Sequence, residues 1–310
     1  MRCLICASTM TMRAHGVVAP WISELSDQPS PDNTDLYHCP ECTFMGFSHR
    51  FSESELQAMY GHYRSEEYMH TRQRWEPWYR QSVNDATKPG SPAVIKRLNF
   101  MRSVLKHTQR NQFSLAVDIG VDAGQYIPPE ASGDKYVIEM SDITPLPGVK
   151  SAHTLTDLPG TPDLVLICHV LEHHNNPTEL ITQARDAIHP DGVLYIEVPL
   201  DTPKPQPWHH TDNYRTYLSN LTRNRPAFIA QDLLTGLARQ RSLHTPKLGV
   251  VKQSEHLNYF TESSLFTLLT QNGFTVQRWR AEPNLTMGGI RFGALGMVAF
   301  PTGARPPLID

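Results

Sequence analysis

The sequence has no long hydrophobic run, no strong excess of charge and only five cysteines, and each of these absences excludes a class of protein. No apolar stretch approaches the roughly 18 residues that a membrane-spanning helix needs, and the N-terminus lacks the apolar region of a signal peptide. The net charge is −3, whereas non-specific nucleic-acid binders are usually basic. We therefore expect a cytoplasmic protein with no membrane span, and not a dedicated non-specific nucleic-acid binder.

Four of the five cysteines form two close pairs, Cys3-x-x-Cys6 and Cys39-x-x-Cys42. Two such pairs supply four thiolates, which is the ligand set of a tetrahedral structural Zn²⁺ site. A site closed by four cysteines has no open coordination position, so the predicted zinc is structural and not catalytic. The alternative interpretation is four unconnected cysteines in a reducing compartment.

Composition and pattern divide the chain into segments. Aromatic and arginine side chains alternate between residues 49 and 110, and they allow two interpretations. The arginines could bind phosphates of an anionic substrate, or the segment could be a helical linker whose aromatics pack on the main domain, which we favour. The expected organisation is a zinc-binding domain (1–48), a helical linker or cap (49–110), an α/β domain (111–300) with an insertion (201–256), and a tail (301–310).

A strand–helix–strand unit dominates the α/β domain. The apolar runs Leu164–Ile167 and Val193–Val198 are typical of strands that are buried on both faces. Between them, Asn176 is a predicted N-cap and Pro177 occupies the first helical position. The pattern predicts two neighbouring parallel strands joined by a helix.

Polar residues follow the first of these strands, at the edge where ligands bind open parallel sheets. They are Cys168, His169, Glu172 and His173. An earlier apolar run ends in Asp118-x-Gly120 and a turn, and Glu139 follows the next run 21 residues beyond Asp118. An acid at this separation suits the two hydroxyls of a ribose.

We expect a helix to begin near Gly124 of that first turn, close to a ligand. Asp122 stands where a dinucleotide fingerprint would have its middle glycine.

Taken in order, these motifs resemble class I S-adenosylmethionine (SAM)-dependent methyltransferases. The Asp118–Gly124 loop is similar to the family's SAM-binding loop, Glu139 to its ribose-binding acid, and residues 163–199 to its fourth and fifth strands. The resemblance implies a Rossmann-like, seven-stranded sheet. It also implies that SAM contacts Asp118, Gly120, Asp122, Gly124, Glu139, Thr156, Asp157, Cys168 and His169.

The insertion at 201–256 leaves the sheet above this predicted site. Its charged side chains are mostly basic, so we expect a cap for an anionic acceptor; an oligomer interface or packing element is the alternative. The insertion ends in Glu255-His256, within a motif that resembles sugar C-methyltransferases of deoxysugar biosynthesis with two N-terminal cysteine pairs. That resemblance implies that His256 is the base and Glu255 its neighbour, with His169 and His173 as competing candidates.

The sequence therefore predicts a SAM-dependent methyltransferase that uses a histidine base for O- or C-methylation. The expected acceptor is a small anionic or sugar-like molecule, such as a nucleotide-sugar, from glycan or secondary-metabolite biosynthesis. The alternatives are a methyltransferase that modifies RNA or protein, and a non-catalytic SAM-binding scaffold, which Asp122 favours. The oligomeric state is left open.

Overall fold

The computed structural model describes residues 1–26, 31–108, 110, 112–120, 123–141, 143–242, 244–287 and 290–304. The strands are β1 (Thr11–Val18), β2 (Asn33–His38), β3 (Met45–Phe47), β4 (Phe113–Ile119), β5 (Ala131–Ile138), β6 (Lys150–Ala152), β7 (Leu164–Cys168), β8 (Val193–Pro199), β9 (Lys252–Gln253), β10 (Asn258–Tyr259), β11 (Phe274–Met287) and β12 (Ile290–Pro301). The helices are α1 (Pro20–Leu25), α2 (Glu53–Leu56), α3 (Glu66–Trp75), α4 (Gln81–Asp85), α5 (Pro92–Leu105), α6 (Pro177–Ala187), α7 (Asp212–Thr222), α8 (Arg225–Ser242) and α9 (Glu262–Gln271).

The larger sheet has the strand order β11-β12-β8-β7-β4-β5-β6. Strands β4 to β8 run parallel to one another, whereas β12 is antiparallel to both β8 and β11. Every residue of β7 and β8 is buried, as expected for strands with side chains packed on both faces. The mixed α/β architecture that the sequence predicts is confirmed.

Helix α6 begins where the sequence predicts. The side chain of Asn176 accepts a hydrogen bond from the backbone N–H of Glu179, and Pro177 occupies the first turn. Leu180, Ile181 and Ala184 are buried on one face of this helix. The local cap and the apolar spacing together explain why this helix packs against the sheet.

The expectation of a helix near Gly124 is wrong, because residues 123–130 form turns that lead directly into β5. Gly124 has a φ of 83°, which is outside the helical region. Pro128 and Pro129 follow four residues later, and neither can donate a helical hydrogen bond. The backbone N–H of Ala123 is instead bonded to the side chain of Gln125 at 3.0 Å.

The smaller sheet has the order β10-β3-β2-β1-β9. Its three central strands come from the N-terminal segment, and its two edge strands come from the end of the insertion (β9) and from the residues just after it (β10). Val17 pairs with Lys252, and Met45 pairs with Tyr259. The N-terminal segment and the insertion therefore share one sheet. Among the described helices, none combines the length and apolarity that crossing a membrane requires.

Candidate functional site

The four paired cysteines form one cluster. The Sγ atoms of Cys3 and Cys42 are 3.6 Å apart, and those of Cys6 and Cys39 are 3.5 Å apart. All four sulfurs lie within 4.8 Å of one another. Sulfurs bound to a tetrahedral zinc at about 2.3 Å lie about 3.8 Å from each other. The donor set therefore fits the structural Zn²⁺ that the spacing predicts.

Both cysteine pairs adopt the same turn. The residue after each pair, Ala7 or Thr43, has a left-handed backbone with φ of 59° or 63°. The N–H of Ala7 donates to the carbonyl of Cys3, and that of Thr43 donates to Cys39, each at 3.0 Å. A left-handed conformation is costly for a residue other than glycine. Because this conformation occurs at the equivalent position of both turns, it supports a shared structural requirement. Each turn must direct its two thiols toward the same point.

Several predicted SAM-binding residues lie at the carboxyl ends of neighbouring parallel strands. Asp118 is fully buried in β4, Cys168 ends β7 with 2% exposure, and His169 follows it. Glu139 follows β5 directly, and its carboxylate accepts hydrogen bonds from the next two backbone N–H groups. The sheet thus brings together the four side chains from separate motifs. Asp122 lies outside the described residues.

Two other predicted SAM contacts, Thr156 and Asp157, lie in a short turn after β6. Asp157 accepts hydrogen bonds from the backbone and hydroxyl of Thr154 at 2.8 and 2.9 Å, and these bonds lower the pKa of its carboxyl. Thr156 and Asp157 are both exposed. Their turn is stabilised by its own cap, so the side chains stay accessible to a ligand.

His169 has a φ of 57°, an uncommon conformation for a residue other than glycine. Both of its ring nitrogens face carboxylates: Nε2 lies 2.9 Å from Oε1 of Glu197, and Nδ1 lies 3.2 Å from Oε1 of Glu172. Burial and Arg97 lower the pKa of His169, but the two carboxylates outweigh them and raise it. A ring held on both sides in this way is suited to positioning rather than to proton exchange with a ligand.

An ion pair that no local motif indicates lies beneath His169. The guanidinium of Arg97, on α5, donates to Glu197 of β8 at 2.9 Å and to the hydroxyl of Tyr126 at 2.7 Å. Tyr195 donates to the other oxygen of Glu197 at 2.8 Å. Burial acts to raise the pKa of Glu197, but the charges of Arg97 and His169 hold it at about 2. The carboxylate is therefore ionised and anchors the loop that follows β7.

A second polar cluster lies where the end of the insertion meets the segment after β7. The rings of His173 and His256 are 4.8 Å apart, and Nδ1 of His256 lies 3.1 Å from Oδ2 of Asp201. The backbone carbonyl of Glu172 accepts the N–H groups of Leu257 and Asn258 at 2.7 and 3.0 Å. Asp201 was not predicted as a site residue from the sequence, although it lies just beyond the carboxyl end of β8, where ligands bind parallel sheets.

Glu255, next to His256, points into the N-terminal helices. Its carboxylate accepts the hydroxyl of Tyr68 at 2.6 Å and lies 3.0 Å from a guanidinium nitrogen of Arg72. Burial raises the pKa of Glu255, but Arg72 and His173 outweigh it and keep the carboxyl ionised. Arg72 itself packs over the ring of Tyr79 at 3.9 Å. The aromatic segment therefore holds Glu255 in place.

Arg72 also begins a chain of buried charges across α3 and β9. Glu76 accepts hydrogen bonds from Arg72 at 2.7 Å and from Lys252 at 2.6 Å, and Lys252 also binds Asp232 of α8. Burial raises the pKa of Glu76, but Lys252 and Arg72 hold it at about 2, below the ordinary 4.5. Arg72 and Lys252 therefore stabilise the ionised form of Glu76 in the folded protein but not in the unfolded chain.

We therefore expect stability to depend on Glu76 in acid. A carboxyl whose folded pKa is depressed stabilises the fold above its unfolded pKa and loses that effect as the pH falls toward 2. Glu76→Gln should lower the free energy of unfolding at pH 7 by about 2 kcal/mol, since Lys252 keeps Asp232 as a partner. The difference from wild type should shrink between pH 5 and pH 3 in urea titrations. Glu24→Gln, at an exposed pair, is the control; equal pH profiles for all three proteins would contradict the assignment.

A basic cleft opens beside the start of the insertion. It has a volume of about 290 Å³. Its charged side chains are those of Arg13, His38 and Lys204, and the residues described around it include no acid. Burial and Arg13 lower the pKa of His38. Thr202, which also lines the cleft, is the residue after Asp201. The cleft is suited to an anionic group.

Other basic residues of the insertion form hydrogen bonds within the protein. Arg215 donates to His15 at 3.1 Å, Arg225 donates to the carbonyl of Arg74 at 2.8 Å, and Arg239 donates to the carbonyl of Asp201 at 3.0 Å. At least some basic residues of the insertion therefore stabilise its packing and need not bind a ligand.

Comparison with known proteins assigns the domain. A family model described as a methyltransferase domain matches residues 102–278, more than half of the chain. No curated protein matches the sequence.

Similar solved structures include N-methyltransferase NodS from Bradyrhizobium japonicum WM9 with S-adenosyl-L-homocysteine (12% identity, 71% of this chain and 97% of that one, TM-score 0.39). They also include magnesium protoporphyrin IX methyltransferase from Synechocystis (16%, 75% and 95%, 0.40) and a SAM-dependent methyltransferase from Methanosarcina mazei (16%, 62% and 93%, 0.34). At these identities and TM-scores the similarities carry no argument about activity, so the assignment depends on the family match. The chain belongs to the methyltransferase-domain family, which confirms the enzyme class predicted from its sequence.

Proposed function

We propose that this methyltransferase moves the methyl group of SAM to a small anionic or sugar-like acceptor, by O- or C-methylation. The residues present fit the donor. Glu139 follows β5 with a half-buried carboxylate suited to ribose hydroxyls, and Gly120, with a φ of 68°, places backbone without a side chain just after β4. Bound SAM would supply a methyl group on a positively charged sulfur, which is a good leaving group.

The base is assigned to His256, and one observation carries this assignment. Asp201 lies 3.1 Å from Nδ1 of the His256 ring, which leaves Nε2 as the nitrogen available to a ligand. A carboxylate that fixes the ring and its tautomer in this way is the arrangement of many histidine bases. His169 and Glu255, two of the other three catalytic candidates from the sequence, are held by buried partners, so we assign them positioning roles.

The basic cleft supports an anionic acceptor. Arg13 and Lys204 line it, and their charges would attract a phosphate or carboxylate, while Asp201, next to the cleft residue Thr202 in the sequence, holds the proposed base. The resemblance to sugar C-methyltransferases makes nucleotide-sugars the first acceptors to try. On this proposal the two cysteine pairs hold one structural Zn²⁺ per chain.

His256→Ala should abolish most of the activity. Removing a general base typically lowers turnover by about 10² to 10⁴-fold, whereas binding of S-adenosylhomocysteine should be unchanged. The measurement is transfer of labelled methyl from SAM to a panel of nucleotide-sugars and sugar phosphates. His70→Ala, at an exposed histidine on α3, is the control.

Turnover that survives in His256→Ala would rule out its role as base. Tight binding of S-adenosylhomocysteine by the wild type, with no turnover of any acceptor, would favour the scaffold alternative. Methylation of RNA or protein in preference to the panel would favour a macromolecular acceptor.

A further inference from the structure

We propose that Glu172, His173 and His256 form a second metal site, for a divalent transition ion such as Zn²⁺, and that the ion competes with the acceptor for His256. One ligand atom from each residue lies within 4.8 Å of the other two. Two imidazoles and one carboxylate are a common ligand set for such ions. The site is separate in sequence and in ligand type from the four cysteines.

The two imidazoles are oriented in advance. Nδ1 of His173 is 3.0 Å from the carbonyl oxygen of Glu255 and 3.1 Å from the hydroxyl of Tyr60. Nδ1 of His256 is 3.1 Å from Asp201. Metal-binding histidines almost always bond their other ring nitrogen to a carboxylate or carbonyl. In each of the two histidines, the partners of Nδ1 leave Nε2 as the nitrogen available to an ion.

The carboxylate of Glu172 has two charged or chargeable neighbours, His169 and His173, but no hydrogen bond from the described residues to balance its burial. Glu172 is fully buried, and neither of its side-chain oxygens has a hydrogen-bond partner in the described part of the chain. Its Oε1 lies 3.2 Å from Nδ1 of His169, outside hydrogen-bond geometry, and 3.8 Å from Nε2 of His173. A buried carboxylate without hydrogen bonds is costly. A bound cation would supply the missing interaction.

The cluster can close around an ion with small movements. Ligands at about 2.1 Å from a tetrahedral ion lie about 3.4 Å apart, so atoms within 4.8 Å must approach by little more than 1 Å. The side chains of His173 and His256 are 23% and 31% exposed, which leaves room for this movement and a path for the ion. Three protein ligands leave at least one coordination position open.

The competition between ion and acceptor depends on which nitrogen of His256 binds the ion. With Nδ1 of His256 beside Asp201, an ion at the cluster would bind Nε2, the atom that the proposed function assigns to the acceptor, so a metal-loaded chain would have no free base there. This consequence depends on the proposed function, whereas binding of the ion does not. We therefore expect Zn²⁺ to inhibit methyl transfer reversibly, and excess acceptor, rather than excess SAM, to relieve the inhibition.

The test is calorimetric titration of Zn²⁺ into the full chain after dialysis against citrate, with retained zinc measured by mass spectrometry. We expect one further ion to bind in wild type and in His174→Ala, a neighbouring control outside the cluster. Glu172→Gln and His173→Ala should each bind that ion at least tenfold more weakly. Circular dichroism verifies folding, and a misfolded Glu172→Gln leaves His173→Ala as the deciding variant.

Absence of the further ion in wild type, or wild-type affinity in folded His173→Ala, would overturn the site without any bearing on methyl transfer. Zinc that binds at the cluster but leaves turnover unchanged would overturn the competition. In that case His256→Ala, assayed in parallel without zinc, shows separately whether the base assignment stands.

Discussion

Cys39→Ser should destabilise the whole chain and not only its N-terminal segment. Zinc binding contributes about 10 kcal/mol or more to the folding of small zinc domains, and serine is a poor ligand for the ion. The cysteines share a buried cluster with Phe44, which contacts Phe260 of the main domain with ring centroids 5.5 Å apart. The hydroxyl of Thr178, on α6, donates to the carbonyl of Leu4 at 2.7 Å. If the cluster holds Zn²⁺ as proposed, losing the ion would also weaken these contacts with the methyltransferase domain.

Two measurements check this expectation: zinc content by mass spectrometry, and the midpoint of thermal unfolding, which should fall by 10 °C or more. Cys168→Ala is the matched control, since Cys168 is buried at the end of β7 outside the cluster. It should keep one zinc per chain. If Cys39→Ser kept both its zinc and its unfolding midpoint, the four-cysteine site would be refuted.

Arg97→Met should cost about 3 to 5 kcal/mol of unfolding free energy, because it leaves the carboxylate of Glu197 buried without its cation. Glu197 is 1% exposed, and Arg97 is 5% exposed. Glu197 also holds Nε2 of His169, so the variant should weaken S-adenosylhomocysteine binding as well. Urea unfolding and calorimetry measure the two effects.

The same helix offers a matched control. Arg102, also on α5, pairs with Glu130 at 2.6 Å, but the two side chains are 43% and 31% exposed. Exposed pairs are worth about 1 kcal/mol or less, so Arg102→Met should stay near wild type. The double variant Arg97→Met, Glu197→Gln should recover part of the loss, because it removes the buried charge. Equal effects of Arg97→Met and Arg102→Met would show that burial of the pair has no energetic role.

The sequence was sufficient for those parts of the fold that local patterns encode. The buried runs of β7 and β8, and the Asn176 cap of α6, are short-range signals that tertiary contacts reinforce. The turn at Gly124 was predicted wrongly because a glycine motif does not reveal how short the connection to β5 is, or that Gln125 bonds back to Ala123.

The candidate site was predictable only in part. Glu139 and His169 were found because they follow strands, and the four cysteines because of their spacing. Arg97 and Glu197 are 100 residues apart, and Tyr68 meets Glu255 across 187, so neither pair leaves a pattern in the sequence. The contact between Asp201 and His256 leaves no such pattern either, because it joins residues that are 55 positions apart in the sequence.

The shared small sheet imposes an order on biosynthesis. Strand β1 pairs with β9 and β3 with β10, so the first 47 residues cannot complete their hydrogen bonding until residue 259 has left the ribosome. Pairings of such long range close slowly. During that interval Val17 and its neighbours present an open strand edge to the cell. A nascent chain of this protein is therefore expected to need protection by chaperones until the insertion has been made.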